Sequence, residues 1–278
     1  MLDNQRRLLK VYVQRLRTEG LVSATRRVVN PKRSVYHLIK IARGDVAGHS
    51  NFYTPSYSRQ EEIAFCAAIL DVGATDVAST FAEIEHDEPF VQRLKLQYGV
   101  MRPKSSFGLE LGRFKCWYAV ARLMRPAVVM ETGVHDGLSS ALLLRALWRN
   151  GCGTLVSIDL PSTDLPVAAS GPGWLVPEDL RSRWELCLGD ARKLLPALVH
   201  ERGPINVFIH DSDHARSHRE FEYRTVLTNL TRPGLILTDH DEDPEVLEDL
   251  AREATRHHYR VRSSSVNPVE YIGGIRCA

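Results

Sequence analysis

Apolar residues recur along this chain in two rhythms, and the change falls near residue 106. Before it the spacing is helical. Leu8, Leu9, Val13 and Leu16 fall close to one face of a helix over 2–16. Residues 22–42 mix apolar and basic side chains and break at Asn30-Pro31, which predicts a short helix on either side. Residues 44–55, GDVAGHSNFYTP, are rich in turn formers and read as a linker. Ser58-x-x-Glu61 then fits a capping box, with Ile63, Ala67 and Leu70 as the apolar stripe behind it. Thr75 is expected to cap a second helix running to Ile84, and 88–98 to form a third.

After residue 106 a helix over 111–124 leads into the apolar run 127–130, and short apolar runs then alternate with helical segments. Strands are expected at 127–131, 154–158, 185–188, 205–209, 234–238, 258–262 and 269–275. Helices are expected at 138–148, 177–184, 190–200, 215–230 and 243–257. Such alternation predicts an α/β protein with a mostly parallel sheet covered on both faces. The expected organisation is a helical N-terminal extension over 1–105 and one α/β domain over 106–278.

Composition narrows the class. Of 278 residues, 44% are hydrophobic, enough to fill a core, and the 25% charged content is that of a globular chain, so wholesale disorder is excluded. No apolar run reaches the roughly 18 residues of a membrane span; Ser140–Trp148 is interrupted by Arg145. The start, MLDNQRRLLK, has no apolar signal core. Cys66, Cys116, Cys152, Cys187 and Cys277 are odd in number and scattered, with no C-x-x-C, which argues against a disulfide framework and a cysteine zinc site. The expectation is a soluble, cytoplasmic protein.

The net charge of +2 hides an asymmetry: residues 1–43 hold eleven Lys/Arg against Asp3 and Glu19, a charge of +9, leaving −7 on the other 235 residues. Such a basic arm suits an anionic membrane surface, a nucleic acid, the acidic body of a partner subunit, or simply a solvated helical face. Contact with a membrane surface or a second copy of the chain is the expectation, with no nucleic acid.

Five groups of residues carry candidate chemistry. Glu131-Thr132-Gly133-Val134-His135-Asp136-Gly137-Leu138-Ser139-Ser140 reads as strand, glycine turn, helix, placed where parallel sheets bind ligands. Only two glycines occur, so the dinucleotide fingerprint is absent, and Glu131 suits a cationic or hydroxyl-bearing ligand better than a phosphate. Asp159 ends the second strand, 22 residues after Gly137, where a carboxylate can accept from a ribose diol. Asp190, in Gly189-Asp190-Ala191, can cap the next helix or sit beside a base.

Two clusters, His210-Asp211-Ser212-Asp213-His214 and Thr238-Asp239-His240-Asp241-Glu242-Asp243, end neighbouring strands and can supply cation ligands or a general base. Asp213 or His214 also fits a helix start. Asp243-Pro244 fits another, and Asp243 reads as a cap only. His218, His257 and His258 are expected on solvated helix faces. The long segment 161–175 is expected to cover the site.

Taken in order, Glu131-x-Gly133-x-x-x-Gly137, Asp159, Gly189-Asp190-Ala191 and Phe208–His214 resemble the class I S-adenosylmethionine-dependent methyltransferases, over about 106–278. FIHDSDH…EF…L…PGLILTDH is similar to the group that acts on sugars and antibiotic precursors. The resemblance implies a Rossmann-like, seven-stranded, mostly parallel sheet and an O-methyltransferase acting on a sugar or natural-product hydroxyl, in a homo-oligomer. It implies S-adenosylmethionine bound by Glu131, Gly133, Gly137, Ser139, Asp159, Asp190, Ala191 and Asp211. It further implies a magnesium ion on Asp211 and Asp239, and His214 or Asp213 as the base. His240 stands where the group has a second acid, so His240, or Asp241 beside it, is the expected third ligand. His214 is favoured as base because imidazole titrates near neutral pH. Competing readings are a metal-dependent hydrolase, which would have no use for Glu131, Gly133 and Asp159, and a non-catalytic scaffold anchored by the basic arm.

Overall fold

The structure, a computed structural model, describes residues 58–102, 109–161, 170–241, 244–253, 256–264 and 270–277. The basic arm and the elements expected before residue 58 lie outside these. Three helices come first: α1 (Arg59–Leu70), α2 (Ala74–Glu85) and α3 (Glu88–Met101). Ser58 Oγ accepts the Glu61 amide at 3.3 Å, as the capping box requires. Thr75 is not a cap; it lies in the first turn of α2, whose flanking residue is Gly73. A proline stands in the first turn of α3, where its missing N–H breaks no bond, and the helix runs on past Tyr98 to Met101.

The helix expected over 111–124 divides into a 3-10 turn, Gly112–Phe114, and α4 (Lys115–Met124). Then follow β1 (Val128–Thr132), α5 (Leu138–Asn150), β2 (Thr154–Asp159), a 3-10 turn over Glu178–Arg183, β3 (Trp184–Leu188), α6 (Ala191–Glu201) and β4 (Ile205–His210). They lead to α7 (Arg216–Leu227), β5 (Leu230–Thr238), α8 (Glu245–Glu253), β6 (His258–Ser264) and β7 (Glu270–Cys277). All seven expected strands are present. The segment expected as a helix over 177–184 is the 3-10 turn, α7 starts after Ala215 rather than at Asp213 or His214, and α8 is confined to 245–253. Asp243 lies outside the described residues.

The seven strands form one sheet in the order β3-β2-β1-β4-β5-β7-β6. The first five are parallel, and β7 runs antiparallel to both β5 and β6. Strand side chains alternate between two buried layers, as a pleat requires. Val129, Val207, Ile209, Leu235 and Leu237 face one, with Trp117 and Leu143; Met130, Phe208 and Ile236 face the other, with Leu195, Tyr223, Val226 and Leu250. The first layer also takes Phe65, Ile69, Val77, Phe81 and Leu94 from α1, α2 and α3. Those helices, expected as part of an extension ending at residue 105, therefore share the core of the sheet, in one unit spanning Tyr53–Ala278.

Glu83 of α2 ties this layer together: it meets Arg122 at 2.7 Å, Arg149 at 2.8 Å and the Tyr118 hydroxyl. Burial alone would raise its pKa, but these partners hold it at about 2. All five cysteines are free. Among the described residues no single helix is long and apolar enough to cross a membrane.

Candidate active site

The strand order reverses between β1 and β4, so the crevice where ligands enter an open α/β sheet opens beyond their carboxyl ends. Register sets the residues there in a row. Thr132 pairs with Ile158 on one side and His210 on the other, and His210 pairs with Thr238. One step further along lie Asp159, Gly133, Asp211 and Asp239. Backbone bonds continue the ladder across this row: Gly133 N to Ile158 O at 2.8 Å, Asp211 N to Thr132 O at 2.8 Å and Asp239 N to His210 O at 3.1 Å.

The turn from β1 to α5 is held from three sides. Asp159 Oδ2 accepts the amides of Val134 (3.0 Å) and His135 (2.8 Å), and Oδ1 accepts that of Leu160 (2.7 Å). Asp136, 1% exposed, is clasped by Arg102 through two bonds of 2.7 Å and receives Trp174 Nε1 at 2.9 Å. Glu131, also buried, accepts the Ser157 hydroxyl at 2.7 Å, that of Ser139 at 3.3 Å, and that of Ser140. Burial pushes Glu131 up to about 7 against the pull of these three donors. Glu131 and Ser139, expected to touch cofactor, thus meet each other and lock the turn.

The two glycines serve close backbone approach. Gly133 has φ +88, and a Cβ there would stand 2.0 Å from the Asp211 carbonyl oxygen. Gly137 has φ +94, and its Cβ would meet Gly173 Cα at 2.6 Å. The space at Gly133 is therefore taken by the end of β4 rather than left for a ligand. Asp190 caps α6, accepting the Arg192 amide at 2.9 Å, and Ala191 is the first residue of that helix. The part of the expected covering segment that is described, 170–175, packs down: Gly173 N reaches His135 O at 2.8 Å, and Trp174 stacks near Tyr98.

Beyond β4 and β5 the charged residues sort into three sets. Asp239, 1% exposed, is gripped by Arg113, 3% exposed: Nη2 lies 2.8 Å from Oδ2, and Nε bonds Oδ1. Burial would raise Asp239, but the guanidinium overrides it and holds the carboxyl well below the usual carboxylate range. Asp211 moves the other way, raised by burial and by the Asp239 charge, with which it shares a hydrogen bond. The second set is Asp211, His214 and His240, half-buried, with one ligand-capable atom of each within 4.8 Å of the others. The two imidazole rings are 4.2 Å apart. Asp213 instead turns its Oδ1 to the Ala215 amide at 3.1 Å.

The third set is buried beneath. Glu222 of α7 accepts from Thr132 Oγ1 (2.7 Å) and Ser212 Oγ (3.0 Å) and meets His210 Nδ1 (2.6 Å) and His218 Nε2 (2.8 Å). These bonds overcome the effect of burial and hold Glu222 at about 2, while burial lowers His210 against the pull of Glu222. His218, expected on a solvated helix face, is buried here, and His258 lies on β6 with Nε2 2.9 Å from Asp241 Oδ2; His257 is exposed, but just before β6 rather than on a helix.

The magnesium set expected from sequence, Asp211, Asp239 and His240, does not fit this arrangement. Asp239 is spent on Arg113, and Asp241 is turned toward His258 and Arg260. Sequence reading missed Arg113, Arg102, Trp174 and Glu222. Asp136 and His210 stand inside motifs already singled out, and Trp174 inside the segment expected to cover the site.

Residues 130–241 match the family described as a methyltransferase domain. No curated protein matches the sequence. Among solved structures the chain is similar to the O-methyltransferase from Bacillus cereus in complex with S-adenosylhomocysteine. The identity is 17% and the TM-score 0.52, over 75% of this chain and 100% of that one. It is also similar to the O-methyltransferase TomG from Streptomyces achromogenes, involved in tomaymycin synthesis and solved with S-adenosylmethionine, at 18% identity and TM-score 0.52, over 67% and 90%. Residues 130–241 thus match a methyltransferase-domain family, and the chain has the fold of these two solved O-methyltransferases.

Proposed function

We infer that the protein moves a methyl group from S-adenosylmethionine to a hydroxyl of a small molecule, a sugar or a glycosylated natural product. The observation that carries this reading is the half-buried cluster of Asp211, His214 and His240, one strand from the Gly133 turn and two from Asp159 along the same sheet edge. Two imidazoles and a carboxylate are hydrogen-bonding groups suited to a hydroxylated acceptor.

The donor fits the β1–β2–β3 side of the crevice by the chemistry of the groups there. Asp159 Oδ1 accepts a single amide, which leaves it capacity for a ribose hydroxyl. Leu160 and Leu188, 38% and 52% exposed at the ends of β2 and β3, offer apolar surface to an adenine ring. The Ala191 amide, first in α6, has no intrahelical acceptor, so a ring nitrogen could take its hydrogen bond. The sulfonium of the donor supplies both the electrophilic methyl and its own leaving group.

Alignment of the acceptor and removal of its proton are then the tasks of the chain. His214 accepts the hydroxyl proton, Asp211 orients the acceptor, and Glu131, Ser139, Gly133 and Gly137 keep the turn in shape. A mass-shift screen of glycosides and natural products with S-adenosylmethionine tests the reading. A gain of one methyl on a hydroxyl is expected. Methylation confined to nitrogen or carbon acceptors, or no binding of the donor by calorimetry, overturns it.

A further inference from the structure

We propose that Asp211, His214 and His240 form a binding site for a single divalent transition-metal cation of the zinc or cobalt class, and not for magnesium. The site rests on the reading above only for its place beside the acceptor, not for its chemistry.

Three observations carry it. The first is the donor set. The ligand-capable atoms of one carboxylate and two imidazoles lie within 4.8 Å of one another, and among the described residues no other His, Cys, Asp and Glu side chains converge in this way. Small rotations about the side-chain bonds bring them to the roughly 2.0–2.2 Å that zinc takes from nitrogen and oxygen. Imidazole favours zinc, iron, cobalt, nickel and copper, whereas magnesium takes oxygen ligands in near-ideal octahedral order. Two histidines and one carboxylate leave positions open for water or an acceptor oxygen.

The second is the neutralisation of Asp239. An oxygen-rich site would need this carboxylate, but both of its oxygens are bonded by Arg113 in a place closed to water. Recruiting it to a cation would strand the guanidinium without its partner. Asp239 Oδ2, already bonded by Arg113, stands 3.8 Å from His240 Nε2, where it acts on the ring from outside the ligand set.

The third is rigidity with access. His240 follows the end of β5, its amide 3.3 Å from Thr238 Oγ1, and Asp211 follows the end of β4, its amide fixed to Thr132 O at 2.8 Å. His214 comes from the loop before α7, with its ring already 4.2 Å from that of His240. All three are half-buried, so a cation reaches them from solvent without opening the core.

The test uses the full chain, without a histidine tag, stripped of metal and titrated with cobalt(II) while visible absorption is recorded. Expected are d–d bands that saturate at one ion per chain, are erased by one equivalent of zinc, and survive an excess of magnesium. Removing an outer-shell partner of a metal ligand weakens affinity about 10–100-fold, so removing a ligand by His240→Ala or His214→Ala should weaken cobalt binding at least about tenfold. His257→Ala, an exposed histidine outside the cluster, should leave it unchanged.

Far-UV circular dichroism accompanies each variant, and His240→Asn serves as a milder change if His240→Ala unfolds. Absence of bands, bands that survive both histidine variants, or displacement by magnesium overturns the proposal. Calorimetry with S-adenosylmethionine separates the two readings. Donor binding without cobalt bands sinks the cation site and leaves methyl transfer standing, and cobalt bands without donor binding do the reverse.

Discussion

Arg113 and Asp239, 126 residues apart in the chain, meet as a two-bond ion pair that is 3% and 1% exposed. The pair joins the 3-10 turn ahead of α4 to the end of β5. Desolvation makes such a pair of little net worth against an apolar substitute, but removing one partner strands a buried charge.

Arg113→Met should therefore destabilise the protein by about 3–5 kcal/mol, and Arg113→Met with Asp239→Leu should recover most of that loss. Urea denaturation of the two variants checks this. A single variant as stable as the parent means the Asp239 charge finds another partner or reaches water.

That pair also marks the limit of what the sequence made legible. Strand positions were readable because buried parallel strands are short apolar runs, and Val128–Met130, Val207–Ile209 and Leu235–Leu237 are such runs. Gly133, Gly137 and Asp159 were readable because a tight turn and a strand-end acid have local signatures. Arg113 had none: an arginine among apolar residues before a helix looks the same whether it faces water or a carboxylate more than a hundred residues away. The roles of Glu131 and Asp239 were misread for the same reason. Their residue types were right for a ligand site, but Ser140 and Ser157 in one case, and Arg113 in the other, occupy them first. The membership of α1–α3 in the main core depended on which apolar faces meet, and periodicity gives a face without its partner.

Gly133→Ala should be among the most damaging single changes. The residue sits at φ +88, and the new Cβ would stand 2.0 Å from the Asp211 carbonyl oxygen, a backbone atom with no freedom to swing away. A loss beyond the common range of about 0.5–3 kcal/mol is expected, together with a weakened site because Asp211 must move. Thermal unfolding monitored by circular dichroism decides it. A melting temperature within a degree or two of the parent would show that the β1 and β4 ends are looser than this contact implies.

Glu131 gives a pH dependence with a definite sign. Its folded-state pKa, about 7, lies above the ordinary 4.5, so the folded protein holds this proton more tightly than the unfolded chain. The stability this contributes is fully present below pH 4.5 and is lost as pH rises through about 7. Glu131→Gln, which cannot ionise, should lack that loss. Relative to the parent it should gain stability between these values, by an amount of the order of 3 kcal/mol at most. Denaturation at a series of pH values measures the difference. A gap between the two proteins that stays constant with pH would mean that the serine hydroxyls keep Glu131 ionised throughout.

Asp159 holds the turn and, in the proposed reading, also receives the ribose of the donor. Asp159→Ala removes the acceptor for Val134, His135 and Leu160 amides and for the ribose. An unpaired buried partner costs about 1–3 kcal/mol, so S-adenosylmethionine affinity should fall roughly 5–150-fold. Asp159→Asn keeps one acceptor oxygen and should fall less. Calorimetry on folded variants checks both. Undiminished affinity in Asp159→Ala would place the ribose elsewhere.

His214 is where proton transfer and cation binding compete, because a nitrogen lone pair serves one or the other. If His214 is the base that takes the acceptor's proton, His214→Ala should lower kcat by about 10²–10⁴-fold and leave S-adenosylmethionine affinity intact. Chelation should then leave parent turnover unchanged or raise it, and added zinc should lower it as the cation takes up the ring. His240→Ala should relieve zinc inhibition while keeping basal turnover above that of His214→Ala, since it removes a ligand without removing the base. If chelation abolishes turnover and zinc or cobalt restores it, His214 acts as a ligand and the hydroxyl loses its proton by another route. If His214→Ala turns over like the parent, with donor bound and acceptor saturating, His214 is not the base, and the cobalt titration alone decides its part in cation binding.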